Sequence, residues 1–237
     1  MIYVISDLHG CYEKYQKLLK MLRFGAGDVL YVLGDVIDRG DGGIRILLDM
    51  MQRPGVHPLL GNHESLALGP LLRIARDPAA PPTELHRFWL QNGGGPTEAA
   101  FRALSRDMQQ TLLAYLASFA LRRTVTAGGR RFHLSHTLPG YVPGRAVEDF
   151  SATELLCGTP DYTADYANGV FFVTGHTPTG LIDEAYRGRI YQTRSHIAID
   201  CGTVFGYPLG CVCLDTLEKI YVPHRTRKLP IFHAVHR

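Results

Sequence analysis

Two carboxylates three residues apart, followed at once by an arginine, close the segment V-L-G-D-V-I-D-R-G between Val32 and Gly40. An apolar run ends in Gly34 and hands over to Asp35. At the mouth of a strand, that carboxylate can lend one oxygen to each of two cations. Asp38 and Arg39, in the turn beyond, are placed to reach a proton-carrying histidine and an anionic group. Four more apolar runs give way in the same manner. Ile2–Ser6 leads to Asp7 and His9, Val56–Leu60 to Gly61-Asn62-His63, Phe132–Ser135 to His136, and Val170–Thr174 to Gly175-His176.

Open α/β sheets place their ligands at strand C-termini. Five such ends converging on one point would form a cage of oxygen and nitrogen donors without a thiolate. That donor set suits two divalent ions of the manganese, iron or zinc type better than calcium. In D-x-H, alternation along an extended backbone would turn Asp7 and His9 to one side, toward one ion. Asn62 would add a neutral donor and so limit negative charge beside a phosphoester. Each motif alone has a bland explanation: G-N-H-E can be a helix cap with Asn62 as N-cap. His136 and His176 can each be hydrogen-bonded core residues. Five bland explanations in this order, each at a strand end, are improbable together.

The elements that must carry these residues follow from periodicity. Ile2–Ser6, Val29–Leu33 and Val56–Leu60 read as strands, the last interrupted by Pro58. Between them, Tyr12, Tyr15, Leu18, Leu19 and Leu22, then Ile44, Leu47, Leu48 and Met51, recur at helical spacing. This alternation predicts a parallel βαβαβ unit. Glu64–Ala75 reads as a helix, and Glu84–Ala120 as a mostly helical block broken at Gly93–Pro96, with an apolar stripe at Met108, Leu112, Leu113, Leu116 and Phe119.

After that block the chain turns to short strand-like runs: Arg131–Ser135, Val170–Thr174, Arg189–Tyr191, His196–Asp200, Gly210–Leu214 and Lys219–Val222. Their spacing predicts a second sheet with antiparallel or mixed pairing. A short helix is expected at Ala152–Leu156 within the loop-rich stretch from Gly140 to Asn168. The expected fold is one α/β domain over residues 1–237, with two packed mixed β-sheets flanked by helices and an insertion at about 84–120.

The 237 residues suffice for a substantial core, and the apolar fraction of 46% and charged fraction of 20% are those of an ordinary globular protein. A formal charge of +3 allows an anionic substrate but gives no concentrated basic patch for nucleic acid. No apolar stretch is long enough for a bilayer. Five scattered cysteines without a C-x-x-C pair read as reduced thiols, and the N-terminus lacks a basic flank and a cleavage site. A cytoplasmic location is expected. Nothing here sets the oligomeric state.

The motifs D-L-H-G, G-D-V-I-D-R-G, G-N-H-E, S-H and G-H-T, in order from Asp7 to Thr177, resemble those of the calcineurin-like metallophosphoesterases, in their phosphoprotein phosphatase branch with small bacterial and phage members. I-D-C-G-T-V-F-G and C-L-D-T-L-E-K-I-Y-V extend the likeness across nearly the whole chain. The resemblance implies one ion held by Asp7, His9 and Asp35, and another by Asp35, Asn62, His136 and His176. It implies a metal-bridging hydroxide attacking phosphorus, His63 protonating the leaving oxygen with Asp38 behind it, and Arg39 gripping the phosphate.

Substrates implied are phosphate monoesters, first phosphoserine or phosphothreonine in proteins. A symmetrical bis(5'-nucleosyl)-tetraphosphate hydrolase is the alternative. A non-catalytic scaffold would carry degenerate ligands, and none is degenerate. One departure stands out: where relatives tend to read L-L-W-x-R, this chain reads E-L-L-C-G-T-P-D-Y. Cys157 and Thr159 replace a tryptophan and a second phosphate-gripping arginine, leaving Arg145, Arg187 and Arg189 as candidate substitutes. His86, His133, His196, His224, His233 and His236 are expected to be structural or surface residues.

Overall fold

A computed structural model describes residues 1–223, so His224, His233 and His236 lie outside the described residues. The first third is the expected alternation: β1 (Ile2–Ile5), α1 (Tyr12–Leu22), β2 (Val29–Val32), α2 (Gly43–Met51), β3 (Val56–Pro58) and α3 (Asn62–Arg76). β1, β2 and β3 pair in parallel. β3 is the sheet edge, where Pro58 needs no partner for its missing N–H.

The helical block is α4 (Glu84–Trp89), α5 (Gly95–Arg102) and α6 (Arg106–Ala117). α4 and α5 are joined by a wide turn at Leu90–Gly94 in which Gly93 takes φ of 98°. The block packs on α2 and α3, and Trp89, Phe101, Leu112, Leu113, Leu116 and Phe119 enter the same core as β1 and β2. Met108, placed in the stripe by spacing, is exposed.

The second half holds β4 (Arg122–Ala127), β5 (Arg130–Ser135), α7 (Ala152–Cys157), β6 (Val170–Thr174), α8 (Thr179–Ile182), β7 (Tyr191–Gln192), β8 (His196–Ala198), β9 (Leu209–Cys213) and β10 (Lys219–Val222). Two expectations need correction. β4 was not foreseen; it pairs antiparallel with β5 across Gly128-Gly129. Nor do β9 and β10 join the second sheet. They extend the first, which runs β10-β9-β1-β2-β3, while the second runs β4-β5-β6-β8-β7. Both sheets are mixed: β9 lies antiparallel to β1, and β5, β6 and β8 are parallel between antiparallel outer strands.

Period-two alternation sorts the core. Ile5 faces the helices, while Val4 faces a middle layer with Phe132, Leu134, Val173, Ile197, Ile199 and Val212 drawn from both sheets. A smaller cluster of Leu138, Phe150, Leu155, Tyr166 and Phe172 covers the far face of the second sheet. The C-terminal ends of β1, β2, β5 and β6 are thereby brought to one rim. Among the described residues no helix is long and apolar enough to cross a membrane.

Candidate active site

The loops leaving those strand ends are unusual in backbone as well as side chain. Asp7, His9, Asp35, Asp38, Arg39 and His176 all have φ between 39° and 69°, a region that non-glycine residues seldom occupy and that costs on the order of 1–3 kcal/mol each. The extended alternation expected for D-x-H is thus corrected: β1 ends at Ile5, and left-handed turns aim Asp7 and His9. Glycines make the close approaches possible. A Cβ on Gly175 would collide with the Asp7 carboxylate and Ser6, and one on Gly61 with Asp35.

Asp35 sits at the centre, buried, with one oxygen toward each side. Its Oδ2 lies 3.5 Å from His9 Nε2 and 3.9 Å from His63 Nε2; its Oδ1 lies 3.6 Å from His136 Nε2. Ligand atoms of His9, Asp35 and His63 fall within 4.8 Å of one another, as do those of Asp35, His136 and His176. Asp7 belongs to neither group; both its oxygens accept from the His176 backbone N–H, at 3.1 and 2.9 Å.

His136 donates through Nδ1 to the Leu33 carbonyl at 2.7 Å, so its Nε2 presents a lone pair. That lone pair faces Asn62 Oδ1 at 2.8 Å and His176 Nδ1 at 3.0 Å, and the latter two are 3.1 Å apart. One proton on His176 Nδ1 can serve only one of its two neighbours at a time, whereas a cation at the centre of the triangle satisfies all three atoms. On the other side, His9 donates through Nδ1 to Ile37 O at 2.9 Å, and its Nε2 receives a guanidinium N–H of Arg39.

Charge tells the same story. Burial would raise Asp35, but the imidazoles of His136, His63 and His9 outweigh it and bring it to about 2. Burial, then the charges of Asp200 and Asp35, push Asp7 well above the ordinary carboxylate range. Burial raises Asp200 to about 7 with Asp35 adding to it. Buried carboxylates that raise one another's pKa mark a site short of positive charge, and divalent cations fit that deficit.

His63 is held through both ring nitrogens. Its Nδ1 donates to Asp38 Oδ2 at 2.8 Å, and the Trp89 indole donates to the same oxygen at 2.9 Å. Burial works against protonation, but the Asp38 hydrogen bond and the Asp35 charge prevail and raise the His63 pKa. Arg39 reaches His63 Nε2 at 3.1 Å. The turn that holds Asp38 and Arg39 is clasped by the helical block: Asp38 N–H donates to Thr97 Oγ1 at 2.9 Å and Arg39 N–H to Gly93 O at 2.8 Å.

Gly61, not Asn62, caps α3, so Asn62 and His63 occupy its first turn and Glu64 reaches back. The Glu64 carboxylate accepts four backbone N–H groups, from Gly61, Asp35, Val36 and Ile37, at 2.8–3.2 Å.

Every predicted site residue is at this rim. Trp89, Thr97 and Asp200 were missed. Asp200 carried a legible signal, an apolar run ending in aspartate. Trp89 carried none beyond its being the single tryptophan. Cys157 lines the hollow beside Asn62 and His63. Of the candidate substitute arginines, Arg145 pairs with Glu154 at 2.6 Å and Arg187 with Glu184. Among the described residues, neither these nor Arg189 hydrogen-bonds at the rim.

Residues 1–180 match the calcineurin-like phosphoesterase family. The chain is a calcineurin-like phosphoesterase. It is similar to a symmetrical bis(5'-nucleosyl)-tetraphosphatase of Aggregatibacter actinomycetemcomitans, 42% identical over 73 residues, or 28% of this chain and 26% of that one. It is also similar to serine/threonine-protein phosphatase 1 of Salmonella typhimurium, 32% identical over 94 residues, or 39% of this chain and 38% of the relative. The matched stretches span between 23% and 38% of such curated relatives.

In fold, this phosphoesterase overlays a crystal structure provisionally assigned as a diadenosine tetraphosphatase with a TM-score of 0.66 at 18% identity, covering 94% of this chain and 93% of that one. A protein serine/threonine phosphatase of Saccharomyces cerevisiae gives 0.61 at 13% identity, covering 97% and 81%.

Proposed function

We propose that this phosphoesterase hydrolyses a phosphate ester or anhydride on two divalent cations, with a dinucleoside tetraphosphate as the leading substrate class. The observation that carries the hydrolytic reading is the Asp35 carboxylate, flanked on one side by His9 and on the other by His136, Asn62 and His176, with His63 and its Asp38 partner alongside. In this reading His9 and Asp35, with Asp7 drawn in, hold one cation, and Asp35, Asn62, His136 and His176 hold the other. Bound there, the cations neutralise phosphate charge and lower the pKa of water toward neutrality.

Arg39 exchanges its histidine contacts for phosphate oxygens. His63 gives its Nε2 proton to the departing oxygen, while Asp38 fixes the ring through Nδ1. Trp89 and Thr97 fix Asp38 in turn, and the 84–120 block is in this sense an insertion that serves the site of a single catalytic domain.

The arginine count separates the substrate classes. A phosphoserine or phosphothreonine carries roughly −1.5 to −2 charge at neutral pH and calls for strong cationic grip. An internal phosphate of a polyphosphate, bonded to a neighbour on both sides, carries less. Arg39 is the arginine whose guanidinium meets the site histidines, and with Cys157 and Thr159 at the departure no second one does so among the described residues. Similarity to symmetrical tetraphosphatases supports the same choice. Similarity to serine/threonine-protein phosphatase 1 keeps phosphoproteins as the second reading.

Kinetics with Mn on an aryl phosphate, a phosphopeptide and diadenosine tetraphosphate test the reading. The expected result is ADP release at a kcat/KM above that for the phosphopeptide. The reverse order would move the phosphoprotein to the front. Turnover of none of the three by metal-loaded enzyme would end the hydrolytic reading.

A further inference from the structure

One hollow has His63 in its wall, and a second is joined to Arg39 through the Phe205 ring. The first, about 390 Å³, has Asn62 and His63 in its wall together with Leu66, Leu85, Phe88 and Cys157. Phe88 is 56% exposed and Leu85 48%. The second, about 230 Å³, is walled by Leu181, Phe205 and Tyr207 with Arg187, Cys201 and Gly202, the last two directly after Asp200. Phe205 is 61% exposed, and its ring centre lies 5.8 Å from the Arg39 guanidinium carbon. Large apolar side chains left open to water at the mouth of a catalytic pocket mark surface that a ligand covers.

We propose that Phe88 and Phe205 are the stacking platforms for the two nucleobases of a dinucleoside polyphosphate, an assignment that rests on the dinucleotide reading above. An extended peptide would ask for one continuous groove. Here two separate apolar hollows accompany a guanidinium, which suits a ligand with an anionic middle and two flat ends. His63 fixes the direction. Its Nε2 delivers the proton and it lines the first hollow, so the departing nucleotide lies on the Phe88 side and the retained one on the Phe205 side. The bond from water oxygen to phosphorus forms as the bridging P–O bond breaks, and the His63 proton goes to the bridging oxygen. Asn92, also in the first hollow, donates its amide N–H to Phe88 O at 2.8 Å, which points its Oδ1 the other way as an acceptor for the edge of a base.

The test uses Phe88→Ala and Phe205→Ala, with Phe88→Tyr and Phe205→Tyr keeping the ring. Two quantities are read on Mn-loaded enzyme: inhibition of aryl phosphate hydrolysis by ADP relative to inorganic phosphate, and KM against kcat for diadenosine tetraphosphate. Calorimetry gives ADP binding without turnover. Each alanine variant is expected to weaken ADP relative to phosphate by roughly five- to a hundredfold, the usual worth of a base–aromatic stack, with tyrosine restoring it. ADP binding no better than phosphate, or an ADP preference intact when Phe88→Ala and Phe205→Ala are combined in one protein, would overturn the platforms. Wild-type enzyme that ignores diadenosine tetraphosphate, yet loses its ADP preference in both alanine variants, would keep the platforms and discard the substrate. Cleavage of the dinucleotide with KM unmoved in both variants would do the opposite.

Discussion

At the scale of single residues, function hangs on which ring nitrogen each histidine exposes. His63→Asn keeps a side chain able to meet Asp38 but removes the proton donor. It is expected to lose about 10²–10⁴ in kcat while Mn binding, followed by calorimetry, persists. Turnover at the wild-type rate would take His63 out of the mechanism. The histidines without a role titrate differently. Burial first, then the charge of Arg122, holds His133 down at about 4, and burial alone holds His196 at about 3. An unfolded histidine takes its proton near pH 6.5, and these folded ones refuse it. Protons therefore favour the unfolded chain, and stability falls as pH drops from about 6.5 toward 4. His133→Gln is expected to flatten that limb of a urea-midpoint profile by on the order of 3 kcal/mol at pH 4. A profile identical to wild type would contradict it.

At the scale of elements, two contacts tie separate pieces of chain into one rim. Glu64, in the first turn of α3, receives the N–H groups of the β2–α2 turn at 2.8–3.2 Å. Burial and the Asp35 charge raise its pKa to about 7 against those donors. Glu64→Gln turns an amide group against some of those donors and should cost about 2–4 kcal/mol in chemical denaturation. Trp89→Phe preserves apolar bulk but strips Asp38 of its indole donor. A loss of about 1–3 kcal/mol is expected, with kcat falling further than Mn affinity.

Legibility followed the same division. Asp7, His9, Asp35, Asn62, His136 and His176 could be read because each ends an apolar run, which is a local pattern. Trp89 and Thr97 could not, since their partner Asp38 lies more than fifty positions away and helix periodicity explains both equally well as packing. β4 escaped because it offers no apolar run, only Val125 and Ala127 being apolar, although Thr124, Val125 and Thr126 are β-branched. The Gly128-Gly129 turn was the available sign.

At the scale of the whole molecule, the parallel core of the first sheet followed from the βαβαβ rhythm, whereas the sheet to which β9 and β10 belong did not. Their sequences say strand, but partner choice rests on which face the middle layer buries, and nothing local records that. The buried carboxylates Asp7, Asp35 and Asp200 repel one another, so cation removal has a global cost. Chelation is expected to lower Tm and Mn to raise it, the rise growing with metal concentration as RT ln(1 + [L]/Kd). A melt indifferent to both would speak against the centre.

β1 lies between β2, some twenty-five residues on, and β9, some two hundred residues on. During synthesis the strand that aims Asp7 and His9 leaves the ribosome some two hundred residues ahead of β9, and one of its edges stays bare over that interval. A nascent chain halted before Leu209 should thus carry all six proposed ligands and still bind metal poorly, because the strand that aims two of them lacks a neighbour.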